Sequence, residues 1–232
     1  MRRLLALLLI LTLAAAGLWQ LSRARSFQLF GAMVDRVETT QPLVALTFDD
    51  GPVPVQTEAI LGILAGRSLR ATFFVTGREA EANPMLTAAL VAAGHDLGNH
   101  SYSHTRMVLV RPAFVERELA RTDAAIRAAG YTGPIHFRPP YGKRLFVLPW
   151  VLAEQNRTTV MWDIEPDSDL NAGAERIARI AIEQARPGSI ILLHAMASSR
   201  SATRAALPLI IDGLHARGFR LVTLSELLAA TP

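Results

Sequence analysis

From residue 42 onward, short β-rich apolar runs alternate with longer stretches that mix apolar and charged residues. The runs 43–48, 71–75, 96–98, 135–138, 158–162, 189–193 and 219–222 read as strands, and helices fill the gaps. Punctuation supports this division. Asn83-Pro84 is an N-cap followed by a first-turn proline, and Arg111-Pro112 opens a long helix that Gly130 closes near Ala129. Thr223-Leu224-Ser225-Glu226 has the form of a capping box for the last helix. Such alternation implies parallel strands joined by right-handed crossovers.

The N-terminus follows a different pattern. Leu4 to Leu21 is an uncharged, mostly apolar run between Arg2-Arg3 and Arg23, Arg25. As a helix it reaches about 27 Å, close to the hydrocarbon thickness of a bilayer. Trp19 sits where an interfacial aromatic would sit. Residues 1–25 therefore read as a signal anchor, or as a cleavable signal peptide with Ala14-Ala15-Ala16 as its small-residue site. Either reading exports the rest of the chain. Because the apolar run continues to Leu21, an uncleaved anchor is the expectation, with residues 26–41 as a tether and 42–230 as the main domain.

Composition changes this picture little. The 232 residues suit one large domain, and half of them are apolar. There is no cysteine, which excludes disulfides and thiolate metal sites. Of the formal charge of +4, most lies in residues 1–41, where five arginines face Asp35 and Glu38. The remainder is nearly neutral and carries no basic stripe with interleaved aromatics, so nucleic acid is not an expected partner.

The chemistry gathers at strand ends. The first strand of the domain ends in two adjacent carboxylates, Asp49 and Asp50. Adjacent like charges repel unless a cation sits nearby. Bound metal is the natural remedy, and it leaves one carboxylate free to act as a base. His100 and His104, at i and i+4, are expected on one face of a helical turn, where two imidazoles can grip one ion. One carboxylate and two histidines make the ligand count of a catalytic zinc site with an open position. Arg138-Pro139-Pro140-Tyr141-Gly142, Trp162 with Glu165, and Leu192-Leu193-His194 follow, again at or just past strand ends. A barrel brings such ends to one mouth, whereas an open sheet spreads them along a line.

These segments together resemble the polysaccharide deacetylases, the NodB-homology domains of carbohydrate esterase family 4. The resemblance covers nearly all of residues 42–228. Thr47 to Pro52, His100 to His104, Arg138 to Gly142 and Leu192 to His194 are similar to the first, second, third and fifth family motifs. Gly94 to Asn99 and Ala71 to Gly77 are also in the family style. The fourth motif departs from the pattern. It reads Trp162-Asp163-Ile164-Glu165-Pro166-Asp167-Ser168-Asp169, where Glu165 aligns with the first acidic position and the following Trp is missing. That leaves the roof of the pocket and the preferred sugar unassigned.

The resemblance implies an α/β fold, a distorted (β/α)7 barrel behind an N-terminal apolar helix. It implies that Asp50, His100 and His104 hold a divalent metal, with zinc expected and cobalt or nickel as alternatives. Asp49 would be the general base, oriented by Arg138, and His194 the general acid, held by Glu165. The backbone N–H of Tyr141 would help bind the oxyanion, on a loop stiffened by Pro139-Pro140. Trp162 is open to two readings, core packing or a sugar platform. Asn99 would support the second motif through hydrogen bonds. His95, His136 and His215 read as structural, and Met107 to Val110 as a loop packed on the barrel.

The function so implied is hydrolysis of N-acetyl groups from a glycan such as peptidoglycan, chitin or poly-N-acetylglucosamine. Two alternatives remain: hydrolysis of another amide, such as a formyl group on a lipid-linked sugar, and an inactive carbohydrate-binding domain. The partners expected are a glycan and, through residues 4–21, a membrane.

Overall fold

A computed structural model describes residues 1–230 of the chain. The strands are β1 (Met33–Val34), β2 (Leu43–Asp49), β3 (Thr72–Val75), β4 (Asp96–Asn99), β5 (Thr159–Val160), β6 (Ile190–Leu193) and β7 (Arg220–Val222). The helices are α1 (Arg2–Ser22), α2 (Gln56–Ala65), α3 (Gly77–Ala82), α4 (Pro84–Ala92), α5 (Pro112–Ala128), α6 (Val147–Glu154), α7 (Ala174–Gln184), α8 (Ser201–Ala216) and α9 (Leu224–Ala229). The expected capping box forms on α9, and Gly130 follows α5 at φ 91°.

Every named strand pairing is parallel. β2 is central: β3 takes its last three residues, β6 lies along Ala45 to Phe48, and β7 takes its first three. β3 continues to β4. Single bridges then lead from Asn99 to Phe137, from Phe137 to Thr159, and from Ile164 to Ile191 of β6. The pairings thus return to β2, a circuit that fits the expected distorted barrel. The expected strand at 135–138 shrinks to the bridges made by Phe137. Prolines 134, 139 and 140 flank it and carry no N–H for a ladder.

Burial explains the strand sequences. β2, β3 and β6 are buried at every residue, as strands covered on both faces must be. Val44, Leu46, Phe48, Phe73, Val75, Ile191 and Leu193 pack with Ile60, Leu64 and Ile210 of the surrounding helices. Leu43, Ala45, Phe74, Leu192 and Trp162 belong to a second, inner cluster. Period-2 alternation therefore puts Thr47 and Asp49 on the inner face with Ala45.

The stretch expected as a tether packs on the domain, with Phe27 and Gln28 held by Arg144 and the chain from Met33 onward set against β5. Met33 and Val34 pair with Thr159 and Val160, and Val37 is buried. Val37 reaches this place because Gly188, at φ 82°, accepts its N–H; a Cβ on Gly188 would lie 1.7 Å from the Val37 carbonyl oxygen. The helix α1 carries an 18-residue window of mean hydropathy 2.2, none of it buried by the rest of the chain.

Candidate active site

Asp49 is the last residue of β2 and is almost wholly buried. Its carboxylate meets Arg138 Nη1 at 2.7 Å. The same nitrogen donates to Thr47 Oγ1 at 2.8 Å, as expected for two residues on one strand face. Arg138 is fully buried and also donates to the carbonyls of Val160 and Met161. Its guanidinium lies 4.1 Å from the Phe74 ring centre and 5.5 Å from that of Trp162. Burial pushes the Arg138 guanidinium below its ordinary pKa, against the pull of Asp49.

Asp50 leaves the strand at φ 72°, which turns its side chain away from the buried Asp49 and towards two histidines. His104 Nε2 lies 3.3 Å from Asp50 Oδ1, and His100 Nε2 lies 3.9 Å from it. The potential donor atoms of Asp50, His100 and His104 all fall within 4.8 Å of one another.

The two histidines do not share a helical turn. Residues 100–104 form an irregular loop with positive φ at Ser101 and His104. Hydrogen bonds hold that shape: Asn99 Oδ1 accepts from Ser101 N–H at 2.8 Å, and Ser101 Oγ accepts from His104 N–H at 3.1 Å. Asn99 is itself fixed by donating to the Leu119 carbonyl and to Asp123. Asn99 thus supports the second motif, as expected.

The donor set fits a metal ion. His100 Nδ1 lies 2.7 Å from the Arg138 carbonyl, an acceptor only, so Nδ1 carries the proton and Nε2 keeps its lone pair. Burial, then the neighbouring His100, push His104 below the ordinary histidine pKa and keep it neutral, as a ligand must be.

His194 follows β6 and lines the same cavity as Asp49, Asp50, His100 and His104. Its partner is Asp167, not Glu165. Asp167 Oδ1 lies 3.2 Å from His194 Nδ1, and Oδ2 accepts the His194 backbone N–H at 2.8 Å and the Thr203 hydroxyl at 3.1 Å. Burial alone would raise the Asp167 carboxyl; its bonds with His194 outweigh this and hold it below its usual value. Burial likewise works against a charged His194, but Asp167 first, then Asp49 and Asp50, raise it to about 9.

Glu165 faces elsewhere. It pairs with Arg25 at 2.6 Å and accepts from Trp162 Nε1 at 3.0 Å. Trp162 is buried in the inner cluster, with Arg25 stacked 5.1 Å from its ring centre. Both Trp162 and Glu165 still line the cavity that holds Asp50, His100 and His104, a space of about 440 Å³. Asp163 is structural: it accepts from Ser189 Oγ and from Ile190 N–H at the base of β6.

Tyr141 also lines this cavity, with its ring 4.6 Å from that of His104 and its backbone at φ 59°. Pro139 is buried beneath it and accepts the Gly142 N–H. Gly142, at φ 63°, lies against Trp162, which a Cβ would approach to 3.0 Å. Outside the site, His95 is structural: its Nδ1 accepts the Ala71 N–H, and burial lowers its pKa to about 4.

Reading the sequence missed Asp167 as the histidine's partner, and it missed Arg23, Arg25, Lys143 and Arg200 as cavity residues. For Asp167 the signal was its place in the irregular fourth motif; for the others the sequence held none.

Known proteins carry the same framework. The chain is 37% identical over 204 residues to a chitooligosaccharide deacetylase of Sinorhizobium fredii, covering 83% of this chain and 95% of that one. It superposes with a TM-score of 0.81, at 32% identity, on a peptidoglycan N-acetylglucosamine deacetylase, covering 87% of this chain and 94% of that one. A family 4 acetyl xylan esterase from Clostridium thermocellum, solved with a cobalt ion, superposes with a TM-score of 0.74 at 36% identity, covering 82% and 93%. The polysaccharide deacetylase family profile matches residues 36–160, and with these likenesses it shows that the chain belongs to that family.

Proposed function

We propose that the chain is a metal-dependent deacetylase that hydrolyses N-acetyl groups on an N-acetylated glycan and releases acetate. One observation carries this reading: a single cavity is lined by a three-donor cluster, a buried carboxylate and an imidazole held by a second buried carboxylate. A pure sugar binder has no need of both a base and an acid.

Asp50, His100 and His104 would hold the metal, which supplies Lewis acidity towards the acetyl carbonyl and the attacking water. Zinc suits one carboxylate and two imidazoles; cobalt and nickel are the alternatives. Asp49 takes the proton of the attacking water, and Arg138 fixes its orientation. The backbone N–H of Tyr141, a residue that lines the cavity, would donate to the developing oxyanion. His194, kept protonated by Asp167, gives its proton to the amine nitrogen as the C–N bond breaks. Glu165 and Trp162 form one wall of the sugar site and take no part in proton transfer.

Residues 4–21 anchor the chain in a membrane and place the domain outside the cytoplasm, where such glycans lie. Acetate release from chitooligosaccharides and peptidoglycan fragments tests the activity. Activity lost on chelation and restored by zinc supports the reading. No acetate from any N-acetylated glycan, with intact metal binding, would turn it towards another amide.

A further inference from the structure

The segment that follows α1 is part of the cavity. Arg23 and Arg25 line it together with Lys143. Arg144, almost wholly buried, fastens this segment to the third-motif loop. Its backbone N–H donates to the Ser22 carbonyl at 3.0 Å. Its guanidinium donates to Gln28 Oε1, to the Phe27 carbonyl and to the Gly142 carbonyl. The end of the apolar helix is thus fixed at the mouth of the cavity.

Not every cation at that mouth, or beside it on the Tyr141 ring, has an anionic partner. Asp49 is matched by Arg138 and Glu165 by Arg25. Arg23, Lys143 and Arg106 have no carboxylate partner among the described residues. Lys143 stacks on Trp19 at 4.9 Å, and Arg106 stacks on the Tyr141 ring at 4.9 Å. Burial, then the charges of Arg23 and Arg106, push Lys143 below its ordinary pKa, as expected for cations drawn together without an anion.

The segments that carry Arg23 and Lys143 also expose aromatic side chains. Phe27, Phe30, Phe146 and Trp150 are 54, 45, 44 and 44% exposed. A Cβ on Gly31 would lie 3.0 Å from Ala153 Cβ, so the backbone at Gly31 lies against α6, which carries Trp150. Exposed aromatics next to the end of an apolar helix are the signature of a membrane interface.

Resting on the deacetylase reading, we infer that the substrate is an acylated amino sugar bearing a phosphate, presented at the membrane surface. Arg23, Arg106 and Lys143 bind the phosphate while the amide enters the metal-ligand cluster. Arginine forks and an ammonium suit phosphate oxygens, and among the described residues no carboxylate of the cavity forms an ion pair with these three.

The test uses the full chain in nanodiscs, with N-acetylglucosamine and its 1-phosphate as probes and binding read by calorimetry. In neutral-lipid discs at low salt, the sugar phosphate is expected to bind about tenfold more tightly than the neutral sugar, a difference of about 1.4 kcal/mol. Arg23→Gln/Arg106→Gln/Lys143→Gln should bring that ratio close to one, whereas Arg23→Lys/Arg106→Lys should keep most of it. Equal binding of both probes by the unmodified chain would overturn the inference, as would a preference that survives the glutamine variant. A preference found in neutral discs but lost in phosphatidylglycerol discs would mean that lipid headgroups fill the rim, and the inference fails. Acetate release from neutral chitooligosaccharides is a separate readout, which judges only the deacetylase reading.

Discussion

Asp167 grips His194 twice, through the ring Nδ1 and through the backbone N–H, so one buried carboxylate sets both the position and the charge of the imidazole. A carboxylate in this place favours imidazolium over imidazole, and the His194 pKa rises to about 9.

This pairing predicts the basic limb of the pH–rate profile. The acid form of His194 is the active one, so turnover should hold below its pKa and fall as pH rises through it. A cation on Asp50 offsets part of the negative charge that supports this value, so the limb should fall at or below about 9. Asp167→Asn removes the largest raising influence and should move the limb to lower pH, while Glu165→Gln should leave it in place. A shift in the Glu165 variant, with none in the Asp167 variant, would reverse the assignment.

Asp49→Asn should keep its metal and lose most of its activity. The amide preserves shape and cannot take the water's proton; such losses are on the order of 100- to 10,000-fold. Elemental analysis alongside initial rates checks both halves, and more than half of the unmodified rate would rule out the base role.

Arg138 and Asp49 form a buried pair, and breaking such a pair typically costs about 3–5 kcal/mol. Arg138→Met leaves Asp49 uncompensated and strips donors from Thr47, Val160 and Met161. Its melting temperature should fall by on the order of 10 °C. An unchanged thermal melt would show that solvent reaches Asp49.

Asp50→Ala, His100→Ala and His104→Ala should each lose tight metal binding and keep the fold, because three protein ligands leave no spare. Near-normal metal content in any two of these variants, with native circular dichroism, would contradict the ligand set.

The chain should stay with the membrane fraction, and its domain should be open to protease in spheroplasts. The basis is the exposed 21-residue helix α1. N-terminal sequencing that finds a soluble protein beginning near Gly17 would mean a cleaved signal peptide instead.

Much of the site was legible because its chemistry is local. A strand that ends in Asp49-Asp50, and histidines four apart, advertise themselves within a few residues. So do the strand and helix runs, since periodicity is a property of neighbours in the chain. From these the α/β class and the metal-ligand candidates could be read, whereas the Arg138–Asp49 pair, 89 residues apart, followed only from the family resemblance.

Tertiary structure decided what depends on the path of the backbone. His100 and His104 converge through left-handed Ser101 and His104 and the bonds of Asn99, not through a helical turn. Among four acids in one short loop, the fold buries Asp167 beneath His194 and turns Glu165 out towards Arg25. No pattern in residues 163–169 ranks those acids, because the ranking is made by burial and by partners some thirty residues away. Arg25 and Arg144 act across more than a hundred residues of chain, joining the N-terminal segment to the cavity. The sequence by itself determined which groups could do the chemistry; only packing, by bringing distant charges within a few ångströms, decided which of them meet.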